Sequence, residues 1–434
     1  MINELTFPAG LHLLSNWQSG DADAKSRLKD IFDATIKGEM DDVFASPAPK
    51  NQVHVSGSVH MLTLSILHDL YGIDSAAFYK EDAARYARTN LMAARLLGIQ
   101  KHYTVWALYA FTCEAIGQTM MYPDKFPPGS DPDKVLITKD NWQSVTTPDF
   151  DSGIPKVIND ILRETERLTG IEPLLQISAP YSLAADIYGQ EPLLADVVHD
   201  PDFVNQLLDH LADQVLLPWI EHFLEQFPNG WIELSDASGS PFFIGPENCK
   251  TIAIRAMRRM TDGKPWADRL FDCNYRGDYV TQAKKRARNS RRQSAAPTTS
   301  GIDLLELTDL KHSVCPKFII RLEADRVPMP FYQEQAILRG VPLTAGIGSG
   351  QVDRNSVGDI DLAKQDIRQT ANEYVTAIKT VCETVGYPDE TILAQPWPSH
   401  IYFEDISAQS QFGMIEIIIQ TARDAGEQTT EEQQ

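Results

Sequence analysis

Polar and ionisable residues recur in this 434-residue chain directly after short apolar runs, where a strand would end and a loop begin. Ser178 and Tyr181 follow Leu174–Ile177, and Asp236 and Ser238 follow Trp231–Leu234. Asp272, Asn274 and Arg276 close the run that starts at Ala267, while Glu323, Asp325 and Arg326 follow Lys317–Leu322. His400 stands after Trp397 and Pro398, past the last apolar run at Thr391–Ala394. Such groups are costly to bury unless they pair with one another or with a ligand. Together they are candidates for an acid/base pocket.

Each has a structural alternative. Asp236, in Ser-Asp-Ala-Ser-Gly-Ser, serves catalysis or caps its own turn, and Gly239 lets backbone approach a ligand. Asp272 and Asn274 share one face of a strand and Cys273 the other, so an acceptor and an amide sit side by side, free to protonate or orient a heteroatom or to pair with Arg276. Glu323 and Asp325 could hold a cation, or Arg321 and Arg326 neutralise them. His400, with Glu323 or with Glu404 four residues on, could ligate a metal, against the packed role usual for a lone His. Trp397, Tyr402, Phe403, Tyr181 and Phe242–Phe243 could wall an apolar cavity or fill the core.

The elements that must carry these residues read as repeated βα units. Helical spacing runs over Asp21–Gly38, Ser58–Tyr71 and Ala83–Leu97, the last two ending at Gly72 and Gly98. From about Lys101 short apolar runs alternate with amphipathic ones: strands at the positions above and at Val341–Ala345, helices at Val157–Thr169, Asp202–Phe227, Pro246–Thr261, Pro330–Arg339, Leu362–Val385 and Gln409–Ala425. This is the pattern of a parallel sheet. It suits a closed barrel, although periodicity does not separate a barrel from a doubly wound sheet. A segment with six basic residues, Lys284–Arg292, reads as a charged surface loop.

Thirty-nine basic against sixty acidic residues leave a net charge of −21, which argues against adhesion to nucleic acid or anionic lipid. No apolar run is long enough to cross a bilayer and the first residues carry no signal pattern, so a cytoplasmic location is expected. Five scattered cysteines without a CxxC pair read as reduced packing thiols. No GxGxxG, Walker loop, GxSxG or HExxH is present.

Three stretches carry a resemblance to a known family. Leu174–Lys250 has a strand ending at a small-residue Pro loop, a helix ending Tyr188-Gly189, an Asp200-Pro201 helix start, and a strand closing on Asp236-Ala237-Ser238-Gly239-Ser240. Cys113–Pro128 and Arg339–Val352 add a Glu114-Ala115-Ile116-Gly117 passage and a late strand with its Gly loop. In this order they resemble the uroporphyrinogen decarboxylase superfamily over roughly residues 60–425. The resemblance implies an α/β fold: a (β/α)8 TIM barrel over 58–425, with an N-terminal helical extension at 1–57 and a disordered tail at 426–434. The site would lie at the C-terminal ends of the strands.

Within that superfamily the porphyrinogen-binding motifs are missing, and Trp106-Ala107-Leu108 offers no carboxylate where one is needed. The corrinoid-linked methyltransferase branch is closer through Glu114–Gly117, yet its His-x-Cys zinc ligands are replaced by Asp272 and Asn274. The resemblance therefore implies methyl transfer between a small substrate and a separate corrinoid (cobalamin) protein, without a thiolate zinc site. Cofactor-free decarboxylation and a non-catalytic binding barrel are the alternatives. Asp236, Asp272, Asn274 and His400 are the expected catalytic residues; Ser178, Tyr181, Ser238, Arg276, Glu323 and Trp397 the substrate-binding ones. No tightly bound cofactor is expected, the metal question stays open between His400 and Glu323, and a homodimer is the oligomer considered.

Overall fold

In a computed structural model of the chain, residues 2–45, 53–99, 108–272, 275, 304–322, 328–356, 358–386 and 400–431 are described. Asn274, Arg276, Glu323, Asp325, Arg326, Trp397, the run Thr391–Ala394 and the basic segment 284–292 lie outside them, as does the side chain of Asp272.

Local capping chemistry sets the first helices. Asp21 accepts from Ala24 N at 2.7 Å and starts α2 (Ala22–Ile36), which packs on α1 (Ala9–Gln18). Asp74 and Asp82 do the same for α4 (Ser75–Lys80) and α5 (Ala83–Leu97). α3 (His60–Tyr71) and α5 both stop at a glycine in the left-handed region, Gly72 at φ 71° and Gly98 at φ 83°. Both stops stand where the sequence places them.

Two parallel sheets follow, the mixed α/β arrangement expected of repeated βα units. The first has the order β1-β9-β8-β7, with β1 at His54–Gly57, β9 at His400–Phe403, β8 at Leu343–Ile347 and β7 at Ile319–Arg321. The second has the order β4-β5-β6, at Leu174–Ser178, Trp231–Ser235 and Leu270–Asp272. Every pairing within them is parallel. A short antiparallel pair, β2 (Met120–Met121) and β3 (Gly129–Ser130), stands apart. Helices separate successive strands: Pro201–Leu211 through Leu217–Gln226 precede β5, Met329–Arg339 precedes β8, and Ile360–Val385 precedes β9.

Side chains alternate across these strands as the pleat requires. Val55, Leu175, Ile177, Ile232, Leu234, Leu343, Ala345, Ile347, Ile401 and Phe403 enter the main hydrophobic core. Leu174, Trp231, Phe271 and Phe318 form a second cluster, joined by Ile320 and Tyr402, so residues of both sheets meet on the opposite face. Phe318 packs 5.5 Å from Trp231 and 5.4 Å from Phe271, ring centre to ring centre. The same face carries a polar layer: His54 is in register with His400 and Ser56 with Tyr402, and Gln176 donates to Glu233 at 2.8 Å.

Three expectations are corrected. His54–Gly57 falls within the segment read as a helical extension, yet it is a strand hydrogen-bonded to the last one. His400, expected at the end of a strand, instead opens β9. The final helix runs Phe412–Glu431, past the tail boundary placed after residue 425.

Gly57 faces its register partner Phe403 so closely that an added Cβ would lie 2.8 Å from the Phe403 Cβ. We expect Gly57→Ala to destabilise the fold by about 1–3 kcal/mol through forced separation of β1 and β9. An unchanged denaturant midpoint for this variant would contradict the tight β1–β9 contact.

Candidate functional site

The ends of β4, β5 and β6 converge on one buried carboxylate. β4 ends at Ser178; Ala179 N donates to Ser235 O at 2.8 Å, extending the ladder, and Pro180 then opens the helix α8, Pro180–Tyr188, with its ring at a position that needs no N–H. β5 ends at Ser235, and Asp236 follows it into the tight turn Ala237–Gly239. Tyr275 lies three residues beyond β6.

Asp236 is wholly buried. Its Oδ1 accepts from the backbone N–H of Ser182 at 2.9 Å and from the Ser182 hydroxyl at 3.0 Å, and its Oδ2 accepts from the Tyr275 hydroxyl at 2.8 Å. Ser238 N in turn donates to Ser182 Oγ at 3.2 Å. One carboxylate thus ties three strand-end loops together and satisfies an N–H in the first turn of α8 that has no partner within the helix. Gly239 is required beside it, since a Cβ there would stand 2.5 Å from Oδ2.

Burial pushes the Asp236 carboxyl up to about 6, while Tyr275, the Ser182 hydroxyl and the amides of Ser182 and Gly239 favour its ionised form. Tyr181, next to Ser182, is buried with no hydrogen-bond partner for its hydroxyl among the described residues, and burial with the nearby Asp236 charge raises its phenol above the usual range. Ser178 Oγ is likewise buried and unpartnered. Two hydroxyls at this rim thus have no partner among the described residues.

A second polar group lies beyond the ends of β1 and β9. His60 Nδ1 is 2.5 Å from Tyr79 OH, and burial pushes its imidazole down to about 4. Ser58 donates to Asp405 at 3.3 Å. Lys80 binds Glu114 at 3.0 Å and lies 4.0 Å over the ring of Tyr122, whose hydroxyl also donates to Glu114. The carboxylate of the Glu114–Gly117 passage is therefore engaged by two partners.

Of the expected residues, Ser178, Tyr181, Asp236 and Ser238 are brought together at one rim. Asp272 reaches the same sheet, in register with Glu233 at the end of β6. His400 is apart: it is buried on the other sheet, three residues below the end of β9. Phe242 and Phe243 are 58% and 49% exposed and wall no interior cavity, while Phe403 turns into the helix-packed core. Ser182 and Tyr275 were not singled out from the sequence; Ser182 follows a helix-opening proline, and Tyr275 carries no spacing signal at all. Among the described residues no group of three His, Cys, Asp or Glu side chains could hold a metal ion.

No family model matches this sequence, and no curated protein does. Solved structures do match. With parallel sheets and a helix between successive strands, the chain is similar to a methyltransferase from Methanosarcina mazei, with a TM-score of 0.59 and 13% identity over 90% of this chain and 96% of that one. At that identity the likeness establishes a shared fold. Among the described residues no helix is long and apolar enough to cross a membrane.

The Asp236 carboxyl sits at 3.8 in the unfolded chain and about 6 in the fold, so ionising it costs the folded state more. Its contribution is fully present below about pH 4 and is lost as the pH rises through about 6, on the order of 3 kcal/mol in all. Asp236→Asn removes this titration. Urea unfolding from pH 4 to 7 should show the stability of the wild type falling relative to that variant; a difference independent of pH would refute the assigned burial of charge.

Proposed function

We propose that this chain is a methyltransferase that binds a small methylated substrate at the C-terminal ends of its parallel strands and exchanges the methyl group with a corrinoid held by a separate protein. The observation that carries this reading is the fold likeness to a methyltransferase along almost the full length of both chains. Bound to its own protein, a corrinoid supplies a cobalt that accepts or donates the methyl group. The residues here would bind and orient the substrate.

In this reading the two parallel sheets are arcs of one (β/α)8 barrel. Support comes from the cluster of Leu174, Trp231, Phe271 and Phe318, to which both sheets contribute, and from a strand order that runs sequentially within each arc. A closed ring brings loops from separate strands to one mouth. Ser178 and Tyr181 would meet the substrate with their unpartnered hydroxyls. Asp236 acts by holding Ser182, Ser238 and Tyr275 in place, because both of its oxygens already accept hydrogen bonds. From the sequence, Asp272 and Asn274 would act in catalysis and Arg276, Glu323 and Trp397 in substrate binding, and His400, lower in the ring, would orient groups from beneath.

Decarboxylation is the second reading, favoured by one observation: a carboxyl poised near 6 is suited to deliver a proton. The occupied oxygens of Asp236 weigh against it. Incubating the protein with a reduced corrinoid protein and a panel of methyl ethers, methylamines and methyl thiols, while following the cob(I)alamin absorbance, tests the first reading. Methylation of the cobalt is expected with at least one donor, and Tyr181→Phe should slow it by about 10- to 100-fold. No cobalt methylation across the panel, together with carboxyl loss from uroporphyrinogen, would transfer the assignment to the lyase.

A further inference from the structure

A cavity of about 540 Å³ lies between the N-terminal helices, the tip of the β2–β3 hairpin and the loops that leave β8 and β9. It is separate from the Asp236 rim and none of the residues given a role in methyl transfer lines it. Its size falls in the range of small-molecule sites.

Charge on its walls is unevenly compensated. Lys25 binds Asp69 at 2.8 Å, and the Trp17 indole N–H donates to the other Asp69 oxygen at 3.0 Å, so that carboxylate is fully engaged. Arg354 and Lys125 face the same cavity and form no close ion pair among the described residues, although the Asp69 charge also acts on Lys125. Arg354 is aimed by two bonds to Gln409, from its backbone N–H to the Gln409 carbonyl at 2.9 Å and from Nε to Oε1 at 2.9 Å, which leave its terminal nitrogens free of any such pairing. Asp21 lines the cavity as well, so three cations face two carboxylates, and in a chain with a net charge of −21 the walls keep one net positive charge on the side of Arg354, a local oxyanion receptor.

The other recognition element is aromatic. Phe126 lines the cavity and is 67% exposed, at the tip of Tyr122-Pro123-Asp124-Lys125-Phe126-Pro127-Pro128, where three prolines stiffen the loop. Trp17, half-buried on α1, lines it too. A large ring held in water by a stiff loop beside a net positive charge is matched by a flat apolar surface bearing an anion.

We propose that this cavity binds a planar aromatic molecule carrying one oxyanion, a phosphate or a carboxylate, with Arg354 and Lys125 taking the anion and Phe126 and Trp17 the ring. The N-terminal helices then build a ligand site together with the strand-end loops. Isothermal titration of the full chain with adenosine monophosphate, benzoate, adenosine and inorganic phosphate tests it, the first two separating phosphate from carboxylate.

At least one of the ring-bearing anions should bind about tenfold more tightly than adenosine or phosphate alone. Phe126→Ala and the double variant Lys125→Ala/Arg354→Ala should each weaken it by about tenfold or more, with unchanged melting, since all three side chains are exposed. The proposal is overturned if neither ring-bearing anion binds at about 10 mM, if phosphate or adenosine binds as tightly, or if either variant binds as the wild type does.

Discussion

A carboxylate without water must have its charge answered by hydrogen bonds, and Asp236 meets that constraint by drawing three loops onto itself. The Ser182 amide and hydroxyl and the Tyr275 hydroxyl come from segments that follow different strands, so their positions depend on the same buried atom pair. Removing one donor leaves an under-solvated charge, which is more damaging than the loss of a surface hydrogen bond. The geometry of the rim is in this sense a by-product of solving an electrostatic problem. Ser178 and Tyr181 inherit their fixed positions from it, because both flank the turn from β4 into α8.

Below that rim, the face turned away from the helices changes character with depth. Leu174, Trp231, Phe271 and Phe318 make an apolar floor. Above it come Gln176 and Glu233, then Ser178 and Ser235, with His54, Ser56, Thr344 and His400 on the other sheet. Thr344 Oγ1, Ser56 Oγ and Gln176 Oε1 are buried without partners among the described residues. Unpaired groups of this kind cost free energy that a purely structural interior would avoid. Their concentration on one face is consistent with an interior that receives polar molecules.

Much of this was legible in the sequence where local chemistry decides. Leu174–Ser178 and Trp231–Ser235 are apolar runs bounded by turn residues, and α5 has an Asp cap and a Gly stop, so each element lies close to its expected bounds. β1 and β9 were not legible, because four residues opened by a histidine carry too little periodicity to mark a strand. Their pairing with each other is decided by the tertiary fold alone. The same division runs through the site: Asp236 stands out as a carboxylate at the end of a strand, whereas Ser182 and Tyr275 are 54 and 39 residues away from it in sequence, and only the fold makes them its neighbours.

The pairing of β1 with β9 has a temporal meaning as well. His54 and His400 are register partners although nearly the whole polypeptide lies between them, and α1 reaches the final helix through His12 and Glu416, 3.3 Å apart. During synthesis from the N-terminus, the first strand emerges long before its neighbour exists, and its open edge is left to solvent or to other chains. Contacts of such separation also make acquisition of the native state slow. The pairing of β1 therefore waits until the segment around residue 400 has left the ribosome, and until then β1 is a strand in need of protection.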